Sequence, residues 1–270
     1  ELFFKKYHDT QHLHIPSLSS KNFADLFSWD DLNHLLNMTS IWTSLSLNLV
    51  LDKKKIPPEE YCQITMGRDG NQVHQPNSEK VMQWLNQGAT LIANDVDALN
   101  PAISSIANIL ESELSSKAQC NIYFSVQNHQ GFDVHFDMHE VFALHLIGEK
   151  KWKLYEKRLE NPINNEQFQN MLEPDFCRRN CGNIKEEVIM KPGDVLYIPR
   201  GQFHEALASS DSTAHLTFGI THAIGHDFLS LVYEEAMSDP AFRSNFPLPT
   251  DDGKARERWI KSLSNKLFDV

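Results

Sequence analysis

Candidate metal-binding side chains lie in two separate stretches of the sequence. The first stretch, residues 134–139, reads VHFDMH, so polar and apolar residues alternate along it. Alternate residues of a β-strand point to the same face, which places His135, Asp137 and His139 together. A solvated strand alternates in the same way, so this stretch alone does not define a metal site.

The second stretch, residues 191–204, reads KPGDVLYIPRGQFH. This pattern predicts a turn, an apolar strand and a second tight turn, after which His204 lies on the next strand. Two imidazoles and one carboxylate on a barrel form the facial triad of non-haem iron(II), which leaves coordination positions open. We therefore predict that His135, Asp137 and His204 bind Fe(II) and form the catalytic centre. His139 shares the face and is a competing ligand, but positions two apart converge on one ion more easily than positions four apart.

The helices and strands that must position these residues are predicted from the spacing of apolar residues, which changes along the chain. The first 115 or so residues read as mixed and partly helical, with helix starts at Ser28 and at Asn100-Pro101. From Cys120 to about Thr221 the period becomes alternating, which predicts strands. Short strands separated by turns are typical of a mainly β fold, a double-stranded β-helix of the jelly-roll or cupin type. The predicted strands are Asn121–Gln127, Gly131–Asp137, Val141–Ile147, Lys151–Tyr155, Glu186–Met190, Val195–Ile198, Phe203–Leu207 and Ala214–Ile220.

This pattern divides the chain into three regions. Residues 1–119 are predicted to be an N-terminal mixed region packing on the barrel, residues 120–223 the double-stranded β-helix, and residues 224–270 a helical segment. A polar insert between Glu156 and Lys185 is expected to leave the barrel surface. The helical segment has apolar stripes with no obvious partner in a barrel of this size, so we predict that it forms a homodimer. The stripes are Phe228, Leu229, Leu231 and Val232, and Trp259, Ile260, Leu263 and Leu267.

Composition restricts the class of partner and the compartment. The formal net charge is −11 and the longest basic run is Lys53–Lys55, which argues against nucleic-acid binding and suits a basic partner. The absence of 18 consecutive apolar residues excludes a membrane span. The N-terminus has neither an initiator Met nor the layout of a secretory signal. The four cysteines lack zinc-site spacing, so we expect reduced thiols in a cytoplasmic protein.

The motifs, taken in order and spacing, resemble a known family. They are NIY at 121–123, QG at 130–131, HFD at 135–137, EVF at 140–142, GEKKWKLY at 148–155, GDVLYIPRG at 193–201, and His204. Together they resemble the ribosomal oxygenases, Jumonji C-type hydroxylases of ribosomal proteins grouped with bacterial cupin-like arginine hydroxylases, over roughly residues 2–235. The resemblance implies an Fe(II)- and 2-oxoglutarate-dependent dioxygenase with O2 as the other co-substrate. The implied substrate is a side chain of a protein or peptide, with a ribosomal-protein-like and basic substrate favoured.

The resemblance also implies which residues bind the co-substrate. Lys150, fifteen residues after His135, is expected to pair with the distal carboxylate of 2-oxoglutarate. A dianion inside a barrel needs a cation in any case, because an unpaired buried carboxylate is costly. The alternative is that Lys150 is a solvated charge at a strand end. Tyr123 and Thr217 are expected to hydrogen-bond the same carboxylate.

Two positions depart from the family pattern. Family members often carry Gln at the position of His145 and a hydroxyl residue at that of Gly219, and both positions are expected to face the pocket. The chain also stops after helices that match only the dimerisation region of ribosomal oxygenases, before their winged-helix domain. The alternative functions are a metal-binding cupin without oxygenase activity, and an oxygenase of a peptide natural product or small molecule; histone demethylation is a lesser reading. Lys150 discriminates an oxygenase from the metal-binding cupin, since a sugar-binding cupin needs no cation at that depth.

Overall fold

The computed structural model describes residues 1–17, 26–38, 41–67, 69–126, 132–248 and 254–267. Its compact units are residues 1–221 and residues 222–270. Within the described ranges, no helix is long and apolar enough to cross a membrane. The helices are α1 (Leu2–Lys6), α2 (Trp29–Asn37), α3 (Pro58–Tyr61), α4 (Ser78–Asn86), α5 (Pro101–Leu114), α6 (Glu166–Asn170), α7 (Pro174–Asn180), α8 (Gly225–Ala236) and α9 (Ala255–Leu267). The strands are β1 (Leu13–Ile15), β2 (Leu47–Leu51), β3 (Lys54–Lys55), β4 (Cys62–Met66), β5 (Gln72–Pro76), β6 (Thr90–Ala93), β7 (Lys117–Val126), β8 (Glu140–Ile147), β9 (Lys150–Arg158), β10 (Ile184–Met190), β11 (Val195–Ile198), β12 (Gln202–Ala208) and β13 (Ser212–Thr221).

Two antiparallel sheets build the unit of residues 1–221. The larger has the strand order β1-β11-β8-β13-β7-β6-β2-β3, and the smaller has the order β10-β9-β12. Their inner faces pack together in one apolar cluster, to which β8 and β11 contribute from the larger sheet and β9 and β10 from the smaller. A separate hairpin, β4-β5, lies outside both sheets. The predicted mainly β, double-stranded β-helix fold is confirmed.

The alternating pattern located most of the barrel strands, with one exception. Strands are present at seven of the eight predicted places, but the described part of Gly131–Asp137 is not a strand. In that part only His135 pairs, in an isolated bridge with His204. The side chain of Asp133 accepts a hydrogen bond from the Val134 N–H at 2.9 Å. Local bonds of this kind compete with a strand ladder, so the alternation of residues 134–139 does not correspond to a regular strand.

Residues before β7 contribute more strand than their composition indicates. The predicted helix starts are confirmed: Ser28 and Asp31 form a capping box, and Asn100 caps α5 through the amides of Ala102 and Ile103. Strands β2 and β6 extend the larger sheet beyond β7, and β1 pairs with β11 at its other edge. The division into three regions remains a prediction, and the larger sheet runs through the first two of them.

The unit of residues 222–270 consists of α8 and α9 with the chain between them. Trp259 of α9 donates from Nε1 to Ser244 Oγ at 3.0 Å, and its ring centroid lies 5.3 Å from that of Phe246. Large apolar side chains of α8 remain exposed to solvent. They are Phe228, Leu229, Leu231 and Tyr233. The helical character predicted for both segments is confirmed.

Candidate metal centre and anion-binding cavity

Three potential metal ligands converge in a cavity of about 610 Å³ between the two sheets. One donor atom from each of His135, Asp137 and His204 lies within 4.8 Å of the others. The Nε2 atom of His204 is 3.4 Å from Asp137 Oδ2, and the imidazole centroids of His135 and His204 are 4.4 Å apart. The residues predicted to bind iron are therefore close enough to share one ion.

Backbone carbonyls fix the tautomer of both imidazoles. His135 Nδ1 lies 2.8 Å from the carbonyl oxygen of Asp133, and His204 Nδ1 lies 2.9 Å from that of Gln202. A carbonyl oxygen only accepts, so each Nδ1 carries the proton and donates it. Each Nε2 is left with a lone pair, as metal coordination by a neutral imidazole requires.

Main-chain hydrogen bonds hold the ligand-bearing segments together. His135 and His204 exchange a pair of N–H to carbonyl bonds of 3.0 and 2.8 Å, and the Gly201 N–H donates to the Asp137 carbonyl at 2.8 Å. Gly201 has φ +80°, and a Cβ there would lie 2.0 Å from the Leu159 carbonyl oxygen. Only glycine fits this turn, which explains the tight turn just before His204 in the sequence.

The electrostatics of the three residues suit a divalent cation. Burial raises the pKa of Asp137, but His204, His139 and His135 outweigh it and hold that pKa below its usual value. Burial lowers the pKa of His204 to about 4, and the proximity of the His135 imidazole is the next cause. At neutral pH Asp137 is ionised and His204 is neutral. Two imidazole nitrogens and one carboxylate are the donor set that non-haem Fe(II) takes in oxygenases, so these residues fit that metal.

The competing ligand His139 also lines the cavity but lies outside the converging group. Among the residues that the structure describes, the group with mutually close donor atoms contains His135 and not His139. His139 donates from Nδ1 to its neighbour's carbonyl, Glu140 O, at 3.1 Å. Its ring lies against Gly219, where a Cβ would approach Cε1 to 3.0 Å. Gly219 therefore lies in the cavity wall, as predicted, and its missing side chain makes room for the imidazole.

Lys150 lies in the same cavity and is only 7% exposed. No ion pair joins it to an acidic side chain within the described ranges of the chain. Burial lowers the pKa of Lys150 to about 7. A buried amine without a counter-charge is costly unless an anion binds beside it. Lys150 is therefore not a solvated charge at a strand end, and its location suits an anion-binding group.

Further hydrogen-bond donors surround Lys150. Its Nζ is 6.0 Å from the centroid of the Tyr123 ring, on which His215 stacks at 4.9 Å. Trp152 meets His215 edge-on at 5.6 Å. Trp152 Nε1 and His215 Nδ1 are buried without a hydrogen-bond partner in the described structure. Buried polar groups are normally paired, so these atoms and the amine together fit a carboxylate.

The cavity contains every site residue predicted from the sequence. Tyr123 and Thr217 line it together with Lys150 and the three metal-ligand candidates. The sequence analysis missed Trp152 and His215 as cavity residues. Alternation along the strands indicates both, because Trp152 is two residues after Lys150 and His215 is two residues before Thr217. The expectation that His145 faces the pocket is wrong. It is fully buried, is not part of the cavity wall, and donates from Nε2 to the Gly148 carbonyl at 3.0 Å.

Comparison with known sequences finds one family match and several relatives. Residues 97–228 match the family model described as JmjC domain. NO66 of Dictyostelium discoideum, a bifunctional lysine-specific demethylase and histidyl-hydroxylase, is 24% identical over 220 residues, 80% of this chain and 40% of that protein. Ribosomal oxygenase 1 of Rattus norvegicus is 32% identical over 142 residues, 52% of this chain and 23% of that protein. Ribosomal oxygenase 2 of the same organism is 27% identical over 298 residues, 99% of this chain and 58% of that protein. The chain spans less than two thirds of the length of these relatives.

Solved structures agree on the fold. The crystal structure of the ribosomal oxygenase YcfD from Escherichia coli superposes with a TM-score of 0.61 at 15% identity, covering 99% of this chain and 66% of that one. The structure of YcfD in complex with cobalt and 2-oxoglutarate gives a TM-score of 0.62 at 17% identity, with the same coverage. Residues 97–228 therefore match a JmjC domain, and the chain is similar to proteins named ribosomal oxygenases.

Proposed function

We propose that this chain is an Fe(II)- and 2-oxoglutarate-dependent oxygenase that hydroxylates a side chain of a protein or peptide. The observation that carries the proposal is the buried amine of Lys150 in the same cavity as His135, Asp137 and His204. A metal-binding cupin without oxygenase activity would explain the donor set but not the amine. The YcfD complex with cobalt and 2-oxoglutarate supports the same pairing of ligands in a related fold.

The cavity has two ends with different proposed roles, one for the metal and one for the distal carboxylate of 2-oxoglutarate. His135, Asp137 and His204 hold the iron through two Nε2 atoms and one carboxylate oxygen, and Asp137 supplies the negative charge. Lys150 would pair with the distal carboxylate of 2-oxoglutarate, and Trp152, His215, Tyr123 and Thr217, which line the same cavity, would supply further hydrogen bonds. When bound, iron and 2-oxoglutarate would supply the oxidative chemistry: 2-oxoglutarate and O2 are converted to succinate and carbon dioxide, and the second oxygen atom of O2 hydroxylates one C–H bond of the substrate. Apolar cavity residues such as Val141 and Leu172 exclude water from the reacting atoms.

Iron-dependent succinate formation tests the proposal directly. The purified chain, incubated with 2-oxoglutarate, O2 and ascorbate, is expected to form succinate slowly with Fe(II) and not with Zn(II). Zinc fits the same ligands but has no redox chemistry, so it is the matched control. Binding of Co(II) without any Fe(II)-dependent succinate would favour the non-oxygenase cupin.

Affinity for 2-oxoglutarate is expected to fall as the pH rises above about 7. Lys150 has a lowered pKa of about 7 in the free protein, and the dianion binds its charged form. Below that pKa the amine is already charged, so affinity is flat. Above it one proton must be taken up on binding, which weakens affinity by up to about tenfold per pH unit. Titration calorimetry from pH 6 to pH 9, with Mn(II) in place of iron, measures the slope.

The matched control for this pH dependence is Lys150→Arg. A guanidinium stays protonated throughout the range, so the variant should show a flat profile whatever its absolute affinity. A wild-type profile as flat as that of the variant would show that Lys150 is charged in the free protein, and a slope in both would assign the proton to another group.

The substrate is proposed to be a basic, ribosomal-protein-like polypeptide in the cytoplasm. The relatives are named ribosomal oxygenases and a histidyl-hydroxylase. The net charge of −11 favours association with a cationic partner. Asp95, in the cavity wall beside Asn94, Gln119 and Asn121, supplies a carboxylate there for a cationic side chain. A peptide natural product or a small molecule is the alternative substrate.

Self-association through residues 224–270 is the remaining part of the proposal. Phe228 and Leu231 of α8 are 66% and 65% exposed, and large contiguous apolar patches mark association surfaces. Light scattering at micromolar concentration should give the mass of a dimer, and Phe228→Glu with Leu231→Glu should give that of a monomer. Glu234→Gln on the same helix is the control. A monomeric wild-type chain would contradict the prediction.

A further inference from the structure

The segment that carries His135 and Asp137 has little backbone support of its own. Between Phe132 and His139 it forms no strand, and its backbone partners in the other segments are His204 and Gly201. The position of the ligand side chains therefore depends on what holds the start of the segment.

Asp133 is the residue that holds it. Its carbonyl oxygen accepts the proton of His135 Nδ1 at 2.8 Å, and its carboxylate accepts the Val134 N–H at 2.9 Å. The same carboxylate is paired with Arg178 and lies 3.4 Å from the amine of Lys53. Its side chain is only 15% exposed. Two cations from different parts of the chain therefore fix the residue whose carbonyl orients His135.

Arg178 belongs to the insert between β9 and β10. The same helix, α7, places Cys177 in an apolar cluster with Val134, Phe136 and Phe203, on either side of the ligand positions in sequence. Arg178 also pairs with Asp175, one helical turn away, at 2.9 Å. The ion pair with Asp175 restricts the orientation of the guanidinium and so favours its contact with Asp133. The insert thus contacts the ligand segment by packing and by one charged hydrogen bond.

We propose that Asp133 and Arg178 are positioning residues for the metal ligand His135, so that the insert controls metal affinity. The inference rests on the proposed function. If the Asp133 carbonyl turns away, His135 loses the acceptor that selects its tautomer and its ring angle. Outer partners of this kind typically contribute about 10–100-fold to metal affinity.

Titration of the full chain with Co(II) tests the proposal without any turnover. Asp133→Ala and Arg178→Ala should bind Co(II) about 10–100-fold more weakly than wild type, and Arg178→Lys should recover part of the loss. The control is Arg179→Ala, in the same helix, because Arg179 bonds only the Asp175 carbonyl, at 3.0 Å, among the described contacts of its side chain. It should stay within about twofold.

A spectroscopic readout separates positioning from general destabilisation. In the Co(II)-loaded protein the visible absorption bands and the paramagnetically shifted Nδ1–H signal of His135 should change in Arg178→Ala and not in Arg179→Ala. If Arg178→Ala fails to fold without metal, Lys53→Ala and Arg178→Lys carry the same comparison. Equal Co(II) affinity and identical spectra in wild type and the Asp133 and Arg178 variants would overturn the inference. Failure of the wild-type chain to bind Co(II) would instead overturn the proposed function.

Discussion

Replacing Lys150 with alanine is expected to raise the 2-oxoglutarate concentration needed for half-maximal succinate formation by at least about a hundredfold. Removing one partner of a desolvated charge pair costs about 3–5 kcal/mol, because the other charge remains buried. Each 1.4 kcal/mol or so is tenfold in affinity. Co(II) binding should be nearly unchanged, since Lys150 is not part of the converging donor group. Succinate formation against 2-oxoglutarate concentration, with metal occupancy measured separately, gives both numbers.

The neighbouring residue provides the matched control. Lys151 is also on β9, but its side chain is about one third exposed and pairs with Glu187 at 2.7 Å. Exposed ion pairs contribute about 0–1 kcal/mol, so Lys151→Ala should change the 2-oxoglutarate requirement by less than about fivefold. Equal shifts in the two variants would show that Lys150 does not bind the co-substrate.

The second large effect is expected for Asp137→Ala, which should abolish Fe(II)-dependent succinate formation. The carboxylate is the one anionic ligand in the proposed set. Its loss should weaken Co(II) binding by more than the roughly 10–100-fold that an outer partner contributes. Co(II) titration and the succinate assay measure the two effects in the same preparation.

Two further variants decide which histidine acts with Asp137. His135→Ala should behave like Asp137→Ala, whereas His139→Ala should keep its Co(II) affinity, because His139 lies outside the converging group. The reverse pattern would show that His139 is the ligand and that the assignment from spacing was mistaken.

Local periodicity and turn signals were enough to predict the barrel and the three metal-ligand candidates, whereas Lys150, Tyr123 and Thr217 were predicted from the family resemblance. Alternation from Cys120 onwards located β7 to β13, because each strand has one face in a core, and it also predicted a strand at Gly131–Asp137 that the described residues there do not form. The turn at Gly201 was recognisable because its glycine allows a backbone that other residues do not. Periodicity could not indicate a role for Lys150. That role was predicted because Lys150 lies fifteen residues after His135, as the corresponding basic residue does in the family.

The features that were missed depend on contacts between residues far apart in sequence. Strands β2 and β6 extend the larger sheet through pairing with β7, which no local pattern reveals. The alternation within β8 predicts that His145 faces the cavity, yet its ring is hydrogen-bonded to the carbonyl of the turn at Gly148 instead. The irregular backbone near Asp133 follows from a side-chain bond and two distant cations. In each case the local structure is determined by a contact with another part of the chain rather than by the residue type.

Trp152 belongs to both ends of the cavity. Its ring lies 5.8 Å from that of His204, nearly parallel to it, and 5.6 Å from that of His215, which lies near Lys150. Because the same ring contacts both ends, a shift of the ring at one end would also be felt at the other. Such coupling is reciprocal: the factor by which metal tightens co-substrate binding is the factor by which co-substrate tightens metal binding. In the proposed oxygenase, metal and 2-oxoglutarate would therefore bind more tightly together than apart, and depletion of the co-substrate would favour release of the iron.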